Sequence, residues 1–235
     1  MNTKMNNIVC ISDLHGHIPE IPKCDILCIS GDIVPLKIQR NIEACKIWFK
    51  DIFKPLLEKV DCKHVVMTWG NHDFIGQKFY NENLSGETQS NLLFGENSKF
   101  HILMDESIVI DDIKFYGTPW IPELSGWAFY GASEFLKYKF NNIPEDTNIL
   151  LTHCPPKFGT QGVILQNCWN YMKNFGCQEL YDVIKSKNFK ELYVISGHIH
   201  SGCHDFEEEN GIKYINVSLK DENYEITYEP KIIKL

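Results

Sequence analysis

The chain has 235 residues, of which 43% are hydrophobic, and it carries a formal net charge of −8 at pH 7. This length and hydrophobic share suffice for one sizeable core, so we expect a single domain over residues 1–235. The acidic balance argues against duplex nucleic acid as a partner, because a protein that binds many phosphates presents a basic face. We find no long apolar run and no basic-then-apolar leader, so we expect no membrane association.

Cysteine and arginine usage bears on the compartment and on the chemistry. The chain has nine cysteines, an odd number without a Cys-x-x-Cys pair, and Cys10 and Cys28 lie within apolar runs. Free buried thiols in a reducing compartment fit this usage better than a disulfide framework, so we expect a cytoplasmic protein. Arg40 is the only arginine. Many phosphate-binding enzymes use arginine side chains that each make two hydrogen bonds to a phosphate. If this chain binds such an anion, metal ions are favoured as the source of positive charge.

Short apolar runs alternate with longer helix-like stretches, which indicates an α/β chain built from strand–helix units. Strands are predicted, in chain order, at residues 8–12, 25–30, 64–69, 107–110, 113–117, 148–152, 192–196, 213–217 and 224–228. Asp111 and Asp112 separate two of these strands and predict a tight hairpin. Helices are predicted at residues 39–59, with an interruption or restart at Pro55, at 127–140 and at 177–188.

Five of the predicted strands run directly into Asp, Asn or His. The blocks that follow them are Asp13-Leu14-His15, Gly31-Asp32, Gly70-Asn71-His72-Asp73, His153 and Gly197-His198-Ile199-His200. Ligands of open α/β sheets bind just outside the carboxyl ends of the strands, so we expect these blocks to converge on one place. A single Asp-x-His block arises often by chance, but five blocks that each follow a strand indicate a common site.

The residue types in these blocks are suited to metal binding. Asp13 and His15 are two residues apart on a segment expected to be extended, so their side chains should project to one side. Asp32 carries two oxygens and can bridge two ions, whereas Asn71 offers a neutral carbonyl oxygen. Two divalent ions with two carboxylates and a hydroxide would keep a net positive charge, which attracts a phosphate ester.

These blocks resemble the motif series of the calcineurin-like metallophosphoesterases, and the resemblance covers residues 8–218. Four further stretches are similar to metallophosphoesterase-domain proteins related to class III cyclic-nucleotide phosphodiesterases. They are Phe115-Tyr116-Gly117-Thr118-Pro119-Trp120, Gly126-Trp127-Ala128-Phe129, Thr152-His153-Cys154-Pro155-Pro156 and Gly176-Cys177-Gln178-Glu179-Leu180. The resemblance implies a four-layer α/β/β/α sandwich with a dinuclear metal site at one edge.

Transferred position by position, the resemblance implies two divalent ions bridged by Asp32. One ion would have the ligands Asp13, His15, Asp32 and His200, and the other would have Asp32, Asn71, His153 and His198. His72 would lie beside the ions and protonate the leaving oxygen or stabilise its charge, so Asp32, Asn71 and His72 are the expected catalytic residues. To act as an acid beside cations, His72 needs an anionic partner, for which Asp73 is one candidate. The mixed donors suit Mn²⁺, Fe²⁺, Ni²⁺ or Zn²⁺.

We therefore expect a phosphodiesterase that attacks small, nucleotide-type diesters, cyclic ones included, with metal-activated hydroxide. In protein Ser/Thr phosphatases the second block continues with an Asp-Arg pair, whereas this chain has Pro35 and Leu36 there. A phosphomonoesterase or protein phosphatase of the same fold and a non-catalytic scaffold are the alternatives, and the oligomeric state is open. The chain lacks both the Cys-x₅-Arg and the Gly-x₄-Gly-Lys-Ser/Thr loops of other phosphate enzymes.

Aromatic residues between the third and fourth blocks indicate where the rest of a substrate would bind. Trp120 and Trp127 lie near loops marked by Gly and Pro, where large rings are harder to bury. Because the resemblance implies nucleotide substrates, we expect one of these rings to hold a nucleobase, against the alternative that both fill the core. His17, two residues beyond His15, is a further candidate for contact with the substrate.

Overall fold

The computed structural model describes residues 6–96, 98–165 and 170–235. The strands are β1 (Asn7–Ile11), β2 (Ile26–Ser30), β3 (His64–Thr68), β4 (Phe100–Ile102), β5 (Glu106–Ile110), β6 (Ile113–Thr118), β7 (Ile121–Pro122), β8 (Tyr130–Gly131), β9 (Ile149–Thr152), β10 (Leu192–Ser196), β11 (Glu207–Glu209), β12 (Ile212–Asn216) and β13 (Lys231–Lys234). The helices are α1 (Ile42–Trp48), α2 (Lys54–Glu58), α3 (Phe74–Asn81), α4 (Gly86–Phe94), α5 (Ser133–Asn141) and α6 (Gln178–Ser186), with a π-helical turn at Phe49–Phe53. Among the helices so described, none is long and apolar enough to cross a membrane.

The strands form two large sheets and one small one. The first sheet has the order β13-β1-β2-β3-β4, in which β1 to β4 run parallel and β13 is antiparallel to β1. The second has the order β11-β12-β10-β9-β6-β5, with a parallel centre and antiparallel edge strands. β7 and β8 pair separately. Within each large sheet, the carboxyl ends of the central strands therefore share one edge.

Alternate residues of the central strands face two different cores. In β1, Ile8 and Cys10 pack between the two sheets, whereas Val9 and Ile11 belong to the core that also holds the buried faces of the helices. This alternation follows from the two-residue period of a strand, and both faces are apolar because both are covered. The result is the four-layer α/β/β/α sandwich that the family resemblance implies.

Most of the predicted strands are confirmed, and their predicted ends differ little from the observed ones. Eight of the nine lie within one residue of an observed strand at each end. The hairpin at Asp111 and Asp112 is also confirmed: both residues have positive φ, and Ile110 pairs with Ile113. The strand predicted at 224–228 is wrong, because that segment is irregular chain after a turn, with a single isolated bridge from Ile226 to Lys220.

The helix predictions were less complete. The restart at Pro55 is confirmed, since α2 begins at Lys54 and proline is tolerated in a first turn. The helix predicted from residue 127 begins only at Ser133. α3 was not predicted because Gly76 lies inside it and disfavours a helix, yet a Cβ there would come within 2.5 Å of the Trp69 ring. α4 was also missed, although Ser85 caps it by accepting a hydrogen bond from the backbone N–H of Thr88.

The thiols agree with the interpretation of free cysteines. All eight described cysteines are free, and six of them are buried. Cys168 lies outside the described residues. The two partly exposed thiols are Cys62 and Cys203.

Candidate metal centre

The carboxyl ends of five parallel strands, three from the first sheet and two from the second, meet at one edge of the sandwich. Asp13 and His15 follow β1, Asp32 follows β2, Asn71 and His72 follow β3, His153 follows β9, and His198 and His200 follow β10. Asp32 Oδ2 lies 3.3 Å from His153 Nε2 and 3.8 Å from His15 Nε2. His200 Nε2 lies 3.3 Å from an oxygen of Asp13. The structure thus brings the predicted ligand blocks into one contact network.

The turns that carry these side chains are left-handed rather than extended. φ is 56° at Asp13, 43° at His15, 51° at Asp32 and 67° at His198. Asp and His tolerate this region better than most residues, but a non-glycine residue there still costs on the order of 1 kcal/mol or more. Asp13 and His15 therefore approach each other through two tight turns, and the expectation of an extended segment is wrong.

Two glycines let neighbouring loops approach the carboxylates closely. A Cβ on Gly70 would lie 2.3 Å from Asp32 Oδ1, and one on Gly197 would lie 2.1 Å from Asp13 Oδ2. Both distances are far below van der Waals contact. Any larger residue at either position would displace an aspartate of the centre.

Both aspartates are held in the ionised form. Burial opposes ionisation of Asp32, but the neighbouring His153 and His72 outweigh it and hold the pKa of that carboxyl well below its usual range. Burial also opposes ionisation of Asp13, where the hydrogen bond to His200 and its charge keep the pKa low. The centre therefore offers two buried carboxylates near neutral pH.

The histidines divide into two pairs by their pKa. Burial lowers the pKa of His15 to about 4 and that of His198 to about 3, so both rings are neutral at pH 7. At His153 and His200 burial is outweighed by an adjacent ionised aspartate, which raises the pKa of each ring to about 9. A cation that binds here would displace the Nε2 protons of His153 and His200.

Backbone carbonyls fix the orientation of two histidines. His153 Nδ1 lies 2.8 Å from the carbonyl oxygen of Ser30, and His200 Nδ1 lies 2.9 Å from that of Asp221. Because a carbonyl oxygen only accepts, Nδ1 carries a proton in both rings, and Nε2 is turned toward the aspartates. This carbonyl–imidazole arrangement is the usual support of a metal-binding histidine.

The donor atoms fit a metal ion. Both ring nitrogens of His15 are buried and have no hydrogen-bond partner in the described part of the chain, which costs about 1–3 kcal/mol unless something binds them. Three groups of described residues place their donor atoms within 4.8 Å of one another and can hold an ion: Asp13, His15 and His200; Asp13, Asp32 and His153; and His15, Asp32 and His72. The mixture of carboxylate and imidazole donors suits divalent transition metals.

At Nδ1, His72 is held by a neutral amide rather than by an acid. Its Nε2 lies 3.8 Å from Asp32 Oδ2, and its Nδ1 lies 2.6 Å from Gln39 Oε1. Burial lowers the pKa of His72. Among the smaller contributions, the charge of Asp32 raises it and that of His153 lowers it. Near neutral pH the ring is therefore uncharged.

Asp73 is not the partner of His72. Its carboxylate accepts hydrogen bonds from the backbone N–H groups of Ile33, Val34 and Gly70. Burial, together with the charge of Asp32, raises the pKa of Asp73 to about 7. Asp73 thus ties the loop after β3 to the loop after β2.

An open pocket of about 210 Å³ lies beside the centre. Its described lining residues are Asp32, Asn71, His72, Leu124, Trp127, His198, His200, Glu222 and Tyr224. The rings of Trp127 and His72 are 4.3 Å apart between centroids. The Tyr224 ring meets His15 edge-on at 5.0 Å and His200 at 5.1 Å. Aromatic surface therefore borders the candidate ligands.

A family model for calcineurin-like phosphoesterases matches residues 7–202. The chain belongs to this family. It is 29% identical to the UPF0046 protein T07D4.2 of Caenorhabditis elegans over 97% of its own length and 59% of the worm protein. It is 28% identical to metallophosphoesterase domain-containing protein 1 of Homo sapiens over 97% of its own length and 70% of the human protein. The chain thus spans little more than half of the first relative.

Solved structures support the same fold. One aligns with 98% of this chain and 99% of its own at a TM-score of 0.61 and 16% identity. The phosphopantetheinyl hydrolase PptH from Mycobacterium tuberculosis aligns with 93% of this chain and 90% of its own at a TM-score of 0.52 and 13% identity. At these identities the likeness extends to the fold alone. Membership of the family indicates a hydrolase of phosphate esters.

Of the two tryptophans proposed as alternatives for the pocket, Trp127 is in the described lining, whereas Trp120 is buried elsewhere. Trp120 is 2% exposed, and its Nε1–H donates to the carboxylate of Asp105 at 2.9 Å. The rings of Tyr80 and Phe135 meet it edge-on at 4.9 and 4.7 Å. Its one polar group is satisfied inside, so the large ring can be buried although it lies beside a loop.

His17 is not among the described lining residues of the pocket. It is partly buried, and burial together with the charge of Lys220 lowers its pKa. The structure therefore gives no support to a contact between His17 and a substrate phosphate.

Sequence reasoning missed Gln39, which contacts His72, and the pocket-lining residues Leu124, Glu222 and Tyr224. The last two lie in a turn in which Asp221 Oδ1 accepts hydrogen bonds from the backbone N–H groups of Asn223 and Glu225. The polar run that begins at Asp221 is typical of such turns and could have indicated a loop. Gln39 had no comparable signal, because nothing in its neighbourhood marks it as a partner of a distant histidine.

Proposed function

We propose that this phosphoesterase hydrolyses small phosphodiesters of the nucleotide type with two divalent metal ions. The observation that carries the proposal is the composition of the pocket. A buried donor set for cations borders a partly exposed tryptophan and tyrosine, with no lysine or arginine among the described lining residues. Such a pocket would compensate the charge of one phosphate at the metals and offers the rest of the substrate no positively charged side chain among the described lining residues.

We assign the ions to the residues that the family resemblance implies. One ion would take Asp13, His15, Asp32 and His200, and the other Asp32, Asn71, His153 and His198. When bound, the ions supply Lewis-acid activation of water and positive charge against the phosphate oxygens. Asn71 Oδ1 lies 2.9 Å from His153 Nε2, so these two donors already face each other.

His72 would donate a proton from Nε2 to the leaving oxygen. A glutamine amide carries both an acceptor and a donor, so Gln39 can satisfy His72 Nδ1 in either tautomer. In the structure Gln39 Oε1 faces Nδ1, so the proton of the neutral ring lies on Nδ1, and Nε2 carries a proton to donate only when the ring is charged. Burial lowers the pKa of His72, but the charge of Asp32, whose Oδ2 lies 3.8 Å from Nε2, opposes this, so Asp32 would be the anionic partner of the charged ring.

The charge of the pocket favours diesters over monoesters. A monoester carries two negative charges near neutral pH and a diester one. Glu222 lies at the rim, where its Oε1 accepts hydrogen bonds from the backbone N–H and hydroxyl of Ser201 at 3.1 and 2.8 Å. A further negative charge on the substrate would be repelled by this carboxylate and met by no basic side chain of the described lining.

Trp127 would take the organic part of the substrate. Its ring is half-buried, and the guanidinium of Arg40 lies 5.5 Å from it and 4.2 Å from the ring of Phe74. Arg40 also donates to the carbonyl oxygen of Gly126 at 3.0 Å, which fixes the loop that carries the tryptophan. A nucleobase stacked on such a ring would gain about 1–3 kcal/mol.

Hydrolysis of bis(4-nitrophenyl) phosphate and of 4-nitrophenyl phosphate tests the proposal. We expect no turnover after metal removal, recovery with Mn²⁺ or a similar ion, and a higher kcat/KM for the diester. A clearly higher kcat/KM for the monoester would overturn the diester preference. Absence of turnover in a sample shown by metal analysis to hold two ions per chain would favour the non-catalytic scaffold.

A further inference from the structure

A pair of cysteines lies at the opposite end of the first sheet from the metal centre. Cys24 precedes β2 and Cys62 precedes β3, whereas Asp32 and Asn71 follow these strands. The backbone N–H of Cys24 donates to the carbonyl oxygen of Asp61 at 3.1 Å, so the two segments are joined next to the thiols. The proposed phosphoester chemistry uses neither cysteine.

The sulfur of Cys62 has neighbours that stabilise negative charge. Lys99 Nζ lies 3.5 Å from Cys62 Sγ. The same ammonium group donates to the carbonyl oxygens of Val60 and Cys62 at 3.0 and 3.4 Å, which hold it beside the sulfur. The hydrogen bond from Cys24 outweighs burial and, together with Lys99, lowers the pKa of Cys62 to about 6. The same hydrogen bond and burial raise the pKa of Cys24.

Exposure separates the two thiols further. Cys62 is partly exposed, whereas Cys24 is only 7% exposed. A molecule that approaches from solvent therefore meets Cys62 first. We propose that Cys62 and Cys24 form a dithiol site that exchanges with disulfides, in which Cys62 is the attacking thiolate and Cys24 the resolving thiol.

The exchange balances without any other oxidant. The Cys62 thiolate attacks one sulfur of an incoming disulfide R–S–S–R, which forms Cys62–S–S–R and expels R–S⁻. Cys24 then gives its proton to the expelled thiolate and attacks the Cys62 sulfur, which displaces a second R–S⁻ and closes the Cys24–Cys62 disulfide. The incoming disulfide gains two electrons, and the two protein thiols lose them.

Cys203 provides a matched control within the same chain, since it is the other partly exposed thiol of the described residues. Its Sγ accepts a hydrogen bond from the backbone N–H of Asp205 at 3.5 Å. At pH 6 a thiol of pKa about 6 is half ionised, roughly 160-fold more than an ordinary thiol of pKa about 8.5. A thiolate of lower pKa is also a weaker nucleophile, so the expected difference in reaction rate is only roughly tenfold.

The experiment treats the full chain with a dipyridyl disulfide at pH 6 and follows each cysteine by peptide mass spectrometry. We expect Cys62 to react about tenfold faster than Cys203. Lys99→Gln should slow Cys62 toward the rate of Cys203, whereas Lys99→Arg should keep most of the rate because it retains the charge. Equal rates at the two thiols of the unmodified chain would overturn the proposed role of Cys62.

The resolving step has its own readout. The unmodified chain should yield a Cys24–Cys62 disulfide and release two thiopyridones from this pair, with no lasting adduct. Cys24→Ser, whose hydroxyl can still donate to the Cys62 sulfur, should instead accumulate the thiopyridyl adduct on Cys62. A lasting adduct on Cys62 in the unmodified chain would overturn the role of Cys24. The two Lys99 variants test the attacking step even if Cys24→Ser folds poorly.

Discussion

The metal side and the substrate side of the pocket are built in different ways. On the metal side every donor follows a strand end, and backbone carbonyls such as that of Ser30 orient the rings. On the substrate side, Trp127 and Tyr224 come from two loops, and both are partly exposed. In the proposed function, the strand ends would therefore supply the chemistry and the loops would select what is attached to the phosphate.

The largest effect should come from the residue most central to the metal side. Asp32→Asn removes the charge shared by both ions, so we expect it to impair both metal sites and to lower kcat/KM about 10³-fold or more. Metal analysis beside turnover of the chromogenic diester measures both effects. Asp51→Asn, on the exposed surface of the π-helical turn, is the matched control. A full metal content in Asp32→Asn would contradict the bridging role.

Replacement of His72 tests whether this residue transfers a proton or binds a metal ion. His72→Ala should keep both ions yet lower kcat about 10²–10⁴-fold, because the residue is proposed to transfer a proton and not to bind metal. The structure makes this a sharp test, since His72 also lies in a group with His15 and Asp32 that can hold an ion. Loss of one metal equivalent from His72→Ala would make His72 a ligand and end the division of roles.

On the substrate side, Trp127→Ala should raise KM for a nucleotide diester roughly 5- to 150-fold, as expected for the loss of about 1–3 kcal/mol of stacking. The small chromogenic diester should be less affected. Trp120→Phe is the comparison, because Trp120 is buried beside Asp105. It should lower the melting temperature and leave the ratio of the two substrates unchanged. If Trp127→Ala instead lowered the melting temperature and affected both substrates equally, Trp127 would belong to the core.

The smallest effect should come from Glu222. Glu222→Gln removes a negative charge from the rim, so it should improve kcat/KM about threefold for a diester that bears an additional terminal phosphate. The same diester without that phosphate should change little, and the difference should shrink as salt is raised. An equal change on both substrates at every salt concentration would show that the carboxylate does not act on substrate charge.

The same contrast explains what the sequence could predict. Asp13, His15 and the other candidate ligands stand directly after apolar runs, so their position in the fold followed from the strand pattern. Tyr224 was placed in a strand that does not exist, because the apolar residues between 224 and 228 have the pattern of a short strand. Trp120 was misplaced because its partner Asp105 is fifteen residues away, and a satisfied indole N–H cannot be read from spacing. Residence in the cytoplasm, a single domain and the exclusion of duplex nucleic acid stay predictions.

The left-handed turns at Asp13, His15, Asp32 and His198 have a consequence for how this protein can change over time. Glycine would adopt these backbone angles without strain, so folding alone favours its appearance there. Each such replacement would relax the chain and remove a donor at the same step. Stability and the proposed activity therefore compete at these four positions, where a requirement for that activity would oppose replacement by glycine.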